Sequence, residues 1–237
     1  MTAGGIFFVP ATPLTRASVR VMVLTILGTA AFLVLQYPSL PWLLPVHFKV
    51  NGFPNGWQFR TMPRVLTPVF VQVALAVTFG ALGILLNSRG GGGWSEEESD
   101  DRRAATAATE AIMLIALIWV AFQAYAALAL VGMWTREREG LGIAYSLLEL
   151  QGFVLTVVVA LRARGQIGHP SPRAFVADEW LFGQLYRNRE NPALLVPARD
   201  GRRWTLNFGR PVAVTLLAVI LTIGIVGPTS ILVLLLR

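Results

Sequence analysis

From Ala111 to Val131 the chain reads AIMLIALIWVAFQAYAALALV, a run without a formal charge. At about 1.5 Å per residue it is long enough to cross a roughly 30 Å hydrocarbon layer as a helix. Val19 to Leu35, Val65 to Leu86, Gly142 to Leu161 and Pro211 to Leu236 are further apolar stretches of spanning length, the first of them near the lower limit. Only 14% of the 237 residues are charged, where a soluble domain carries about 25%, and the mean hydropathy is +0.60. The chain has too little charge to cover a water-facing surface. The reading is an all-α, multi-pass membrane protein with five transmembrane helices.

The basic residues orient these spans. Arg16 and Arg20 precede the first, Arg89, Arg102 and Arg103 follow the second, and nine more lie between Arg162 and Arg210. With the N-terminus cytoplasmic, fourteen basic residues fall inside and six outside, which favours an N-in, C-out topology. The first run also has a signal-peptide profile, but Gln36-Tyr37-Pro38 follows it in place of a small-x-small cleavage site, so it is expected to stay as a helix. The expected organisation is a four-helix region over 1–162 with an ordered extracytoplasmic loop at 36–64. A flexible, solvated linker at 87–105, a cytoplasmic helix and β-hairpin domain at 163–210, and a fifth helix at 211–237 complete it. Gly224, Gly227 and Pro228 are expected to weaken or kink that fifth helix.

Several chemistries are excluded by what the chain lacks. It has no cysteine, hence no disulfide, thiolate zinc site or Cys nucleophile. His47 and His169 are its two imidazoles, and on this topology they lie on opposite sides of the membrane, so no metal site is expected. The Gly-rich stretch before Trp94 lacks the Gly-Lys-Ser/Thr of a P-loop, and there is no Gly-x-Ser-x-Gly elbow. The net charge of +7 comes from Arg residues between apolar runs, with Lys49 as the one lysine. That pattern suits lipid headgroups better than nucleic acid. The expectation is a non-enzymatic protein without a cofactor, embedded in the lipid bilayer, with no direct nucleic-acid contact.

Two loops hold more than linkers. In the first, Pro41, Pro45 and Pro54 forbid a continuing helix, and Asn51-Gly52 and Asn55-Gly56 are turn signals, so an ordered, turned structure is expected. Its Trp42, Phe48, Phe53, Trp57 and Phe59 suit the headgroup zone, and an interfacial anchor and a ligand-facing cap both remain open. In the fourth loop, Ala193 to Arg199 and Arg202 to Phe208 flank Asp200-Gly201 and read as a β-hairpin with a two-residue turn. Asp178 to Tyr186 is expected to form a short helix covering its apolar face.

The run Leu44-Pro45-Val46-His47-Phe48, followed by Asn51-Gly52, Pro54 and Gly56-Trp57, resembles the Pro-x-His-Phe-Asn-x-x-Gly-x-Pro-Asp-Gly signature. That signature follows the first helix in the SdpI-like family, named for a membrane immunity protein against a sporulation-delaying toxin. Lys49 and Asn55 stand where the family usually has Asn and Asp. A second uncharacterised domain is resembled by Trp180, Gly183, Tyr186, Asn188, Pro192-Ala193, Val196-Pro197, Arg199 and Trp204-Thr205-Leu206-Asn207-Phe208-Gly209. The resemblance implies a protein of the bacterial cytoplasmic (inner) membrane acting in immunity or signal transduction. His47, Phe48, Asn51, Gly52, Pro54 and Trp57 would then form an extracytoplasmic site for a peptide ligand. Trp180, Tyr186, Asn188, Pro192, Arg199, Trp204 and Asn207 would hold a cytoplasmic regulatory protein, in the family picture a transcriptional repressor.

Inside the spans, Glu149 is the one acid well within an apolar run, with Tyr145, Gly152 and Thr156 on its face and Gln123 and Tyr125 at similar depth. It is read either as structural glue between helices or as a proton or ligand site. Two rival functions follow: a small transporter or channel using Glu149, and a structural subunit bound to other membrane subunits.

Overall fold

The computed structural model describes residues 8–49, 51–88, 96–167 and 175–226. His169, the Gly-rich stretch and the chain beyond 226 lie outside the described residues. Helix α1 spans Pro13–Gln36, and an antiparallel hairpin of β1 (Leu43–Phe48) and β2 (Pro54–Phe59) follows. A single turn, α2 (Met62–Val65), leads into α3 (Thr67–Asn87), α4 (Glu96–Trp134) and α5 (Ile143–Ile167). Two more hairpins, β3 (Trp180–Leu181) with β4 (Leu185–Tyr186) and β5 (Leu195–Pro197) with β6 (Trp204–Leu206), precede α6 (Pro211–Leu221).

Four helices, Pro13–Ser39, Thr67–Asn87, Asp101–Trp134 and Ile143–Ile167, are long and apolar enough to cross a membrane, so the first four expected spans stand as helices. The fifth is apolar but shorter in the described residues: α6 passes into a π turn, Thr222–Val226, at the glycine expected to weaken it. The linker at 87–105 is corrected in part. Helix α4 begins at Glu96 and runs 39 residues, roughly 58 Å, well beyond the hydrocarbon thickness. Its Asp101, Ala104 and Ala105 are buried and not solvated, and alanine at 104, 105, 107 and 108 favours helix over linker.

The described residues fall into two compact units. One, Ala17–Ala76 with Ile115–Val158, has its core where α1, the β1 hairpin, α3 and α4 meet: Leu33, Leu40, Leu44, Val69, Val131 and Trp134. Trp134 Nε1 donates to the Pro45 carbonyl at 3.0 Å, fixing the first strand to the end of α4. The Arg60 guanidinium donates to the carbonyls of Tyr37 and Leu40 and lies 4.8 Å from the centre of the Tyr37 ring. It thereby ties the 3-10 turn that follows α1, Tyr37–Ser39, to the residue that follows β2.

Deeper in this unit, Gln72 is fully buried, and its Nε2 donates to Thr29 Oγ1 at 3.1 Å and to the Val120 carbonyl at 2.9 Å. One amide thus ties α1, α3 and α4, a contact not foreseen in the sequence. Among the described residues its Oε1 has no partner. Interhelical hydrogen bonds in membranes average about 0.6 kcal/mol, and an unpaired buried acceptor costs about 1–3 kcal/mol, so the two effects nearly cancel. Gln72→Leu is therefore expected to unfold within about 1 kcal/mol of the parent in detergent titrations, and Gln72→Ala to lose about 2–4 kcal/mol through its cavity. Equal losses in the two variants would show that the amide itself holds the helices.

The other unit comprises Met1–Arg16, Val77–Leu114 and Val159–Arg237. Here Thr12 caps α1, its Oγ1 accepting the Thr15 N–H at 3.1 Å with Pro13 in the first helical position. The hairpin segment before α6 is joined to the end of α3. The Ser88 carbonyl accepts the N–H groups of Leu194 and Leu195 at 3.1 and 3.0 Å, and Leu85, Leu194 and Ala213 form one buried cluster. Short hairpins cannot close a core by themselves, and this contact completes it.

Candidate functional site

The β1–β2 hairpin reverses at Asn51-Gly52, where the Gly52 N–H donates to the Lys49 carbonyl at 2.8 Å and Asn51 Oδ1 accepts the Phe53 N–H at 3.3 Å. The turn is pinned to the α4–α5 connection by the Leu141 N–H, which donates to the Gly52 carbonyl at 3.1 Å. Gly140 permits this approach, since a Cβ there would stand 3.0 Å from the same carbonyl oxygen. Phe48, Tyr125 and Tyr145 pack on Ala129, Met133 and Leu141 beneath it. Between turn and connection lies a cleft of about 800 Å³, lined by Asn51, Phe53, Tyr125, Arg138, Glu139 and Ser146 among others.

The six predicted loop residues are therefore divided. Asn51 lines the cleft and Gly52 joins its two walls, whereas Phe48 packs inward as a support. His47 and Trp57 are exposed and do not line the cleft, and Pro54 sits half-buried in the strand opposite Phe48. Sequence reasoning missed Arg138 and Glu139, and it read Phe53 only as an interfacial ring. A signal was present in the Gly140-Leu141-Gly142 stretch, where two glycines flank a single apolar residue.

The intramembrane group is arranged as its spacing suggested, but it is not assembled into a site. Tyr145 stacks on Phe122 with ring centres 5.1 Å apart, Gly152 packs on Ile118 and Trp119, and Trp119 Nε1 donates to Thr156 Oγ1 at 3.1 Å. This face of α5 is thus turned to α4. Glu149 is half-buried within it, and among the described residues no hydrogen bond joins it to Gln123 or Tyr125.

The predicted helix over Asp178 to Tyr186 is corrected: a 3-10 turn, Ala177–Glu179, leads into a tight hairpin. Phe182 and Gly183 at its tip have φ of +53° and +69°, the φ pattern of a type I′ turn, which Gly183 adopts without steric cost and which no helix allows. The second hairpin keeps the predicted register, Leu195 opposite Leu206 and Pro197 opposite Trp204, but the expected two-residue turn is corrected: the last backbone bond runs from Ala198 to Arg203 and the Gly201 N–H donates to the Ala198 carbonyl at 2.9 Å, so Arg199 to Arg202 form a four-residue loop.

Two residues expected at the partner surface prove to be interior. Tyr186 is 2% exposed, with Trp180 edge-on to its ring, and its hydroxyl accepts from Asn191 Nδ2 at 2.9 Å. Asn207 is fully buried: its Oδ1 accepts the N–H groups of Asn188 and Gly209, and its Nδ2 donates to the carbonyls of Asn188, Asn191 and Ala193. Both are buried away from any partner, and Asn207 satisfies backbone groups that no strand ladder reaches. Asn188, Pro192 and Trp204 are half-buried, and Asn188 is held by Glu179 at 2.6 Å. Arg199 stays exposed, its guanidinium 4.8 Å from the Phe175 ring centre. Phe182, 93% exposed, was not foreseen as a surface residue.

Compared with protein-family models, with curated proteins and with solved structures, the chain finds no match in any of the three. Among the described residues the fold has four helices long and apolar enough to cross a membrane, together with small β-hairpins.

Asn207→Ala leaves the Asn188 and Gly209 N–H groups without their acceptor and is expected to cost about 2–4 kcal/mol. Asn207→Asp sets a carboxylate against three carbonyl oxygens and is expected not to restore stability. Thermal unfolding in detergent, followed by tryptophan fluorescence, measures both, and a parent-like aspartate variant would contradict the assigned hydrogen bonds.

Proposed function

We propose that this chain is an SdpI-like membrane receptor of the immunity or signal-transduction type, without enzymatic activity. It senses a peptide at the β1–β2 loop outside the bacterial inner membrane and presents the β3–β6 segment to a cytoplasmic regulatory protein. In this reading five helices cross the membrane with the N-terminus inside, as the distribution of Arg residues favours. The observation that carries it is the hydrogen bond from Leu141 to Gly52. One wall of the cleft is the signature loop and the other is the connection between two long helices, so a ligand that tightens or opens the cleft acts on both helix ends. On the inner side, contact falls to the exposed Phe182 and Arg199, while Tyr186 and Asn207 hold that surface in shape.

The absence of cysteine makes the orientation directly testable. Asn55→Cys is expected to react with an impermeant maleimide on intact cells, and Asp200→Cys only after permeabilisation. The opposite pattern would overturn the orientation.

A photocrosslinking amino acid at position 182 is expected to capture a soluble cytoplasmic protein in native membranes. Gly140→Val, which drives the loop from the α4–α5 connection, is expected to change that capture about fivefold or more. Recovery of fixed-stoichiometry membrane subunits, or capture indifferent to Gly140→Val, would replace the receptor reading with that of a structural subunit.

A further inference from the structure

Glu110 is the last charged residue before the apolar run of α4, and Thr12 Oγ1 donates to its Oε1 at 2.6 Å. The same hydroxyl caps α1, so it joins the start of that helix to α4. Three residues earlier, Val9 is held to the end of α3. Asn87 Nδ2 donates to its carbonyl at 2.8 Å, and its N–H donates to the Asn87 carbonyl at 3.4 Å. Val9 to Thr12 is therefore a wall fixed at both ends.

Between this wall, the early turns of α4 and the last turn of α5 lies a cavity of about 560 Å³, contained within one compact unit. Arg102, Arg103 and Glu110 line it from α4, Gln166 from α5, and Val9 and Pro10 from the wall. Two guanidiniums against one carboxylate make this lining cationic. The carboxylate, which could otherwise hold the ammonium of a zwitterionic ligand, is engaged by Thr12. Guanidinium groups bind phosphate oxygens through paired, charge-assisted hydrogen bonds. Arg103 stands roughly 12 Å along the axis from Ala111, so the cavity opens from the edge of the hydrocarbon outward through the depth at which headgroups lie.

We propose that this cavity binds a phosphate ester anion, supplied by the headgroup of an anionic phospholipid, with Arg102 and Arg103 donating to the phosphate and Gln166 to the rest of the headgroup. A lipid is the source because the cavity adjoins the apolar run, and Val9, Pro10 and Ala107 offer an apolar wall that the glycerol and first methylenes of a lipid can cover. Basic pockets between membrane helices hold headgroups by the same chemistry. A lipid seated there touches the starts of α1 and α4 and the end of α5 together.

Native mass spectrometry of the full chain in mild detergent, titrated with phosphatidylglycerol, phosphatidylcholine or glycerol 3-phosphate, tests the site. One phosphatidylglycerol is expected to stay bound, with phosphatidylcholine and glycerol 3-phosphate each held at least about tenfold more weakly. Arg102→Gln combined with Arg103→Gln is expected to weaken phosphatidylglycerol binding about tenfold. Ala107→Trp, which fills the cavity without changing a charge, is expected to do the same, so that the result does not hang on one altered helix start. Arg202→Gln with Arg203→Gln removes equal charge from the exposed β5–β6 loop and is expected to bind as the parent does. Equal binding of phosphatidylcholine, or an equal loss in the loop variant, would show general attraction to the bilayer and overturn the site. Glycerol 3-phosphate bound as tightly as the lipid would overturn the lipid source, and parent-like binding by both cavity variants would overturn the proposal as a whole.

Discussion

A backbone amide in hydrocarbon has no water to bond, and the departures from helix in this chain sit where another group takes over that role. Arg60 reaches the carbonyls of Tyr37 and Leu40 as α1 ends. Thr12 caps the start of the same helix, and Thr135 Oγ1 returns to the Val131 carbonyl at 3.0 Å where α4 stops. Ser88, at the end of α3, accepts two N–H groups from a segment more than a hundred residues away. The β5–β6 hairpin segment is paired with the end of α3, while Thr12 and Thr135 close helix ends with their own side chains.

The same constraint explains where polar side chains lie within the spans. Gln72 binds a hydroxyl and a carbonyl on two neighbouring helices, and Trp119 binds Thr156 across α4 and α5. Such bonds add little net energy in a membrane, but they fix which residues of two helices stand opposite each other. The cleft beside Asn51 depends on that alignment. Its walls come from a loop and a connection about ninety positions apart, held by one backbone hydrogen bond and by rings packed below.

Much of the fold was legible because its signals are local. Four apolar runs became four helices, and the proline-broken loop with Asn51-Gly52 became a hairpin. The pairing of Leu195 with Leu206 follows from a reversal centred on Asp200-Gly201. Misreadings arose where a local signal was ambiguous or where a distant contact decided the outcome. Glu96 to Ala105 carries charge like a linker, yet it is composed of helix formers and buries Asp101. Phe182-Gly183 lies in a stretch with helical spacing, but both residues take left-handed φ in a reversal.

The candidate site divides along the same line. Hydropathy, proline and glycine placement, and the alternation of Trp204, Leu206 and Phe208 act over a few residues, so the sequence alone determined the apolar helices, the two loops worth reading and the hairpin register. It did not show that Tyr186 and Asn207 face inward, that Gln72 joins three helices, or that Gly140 meets Gly52. Each of those is a contact made by the folded chain, where the choice among possible partners depends on which backbone groups other elements leave open. Only the tertiary structure settles that choice, because burying a polar group is favourable only where its hydrogen bonds are already waiting.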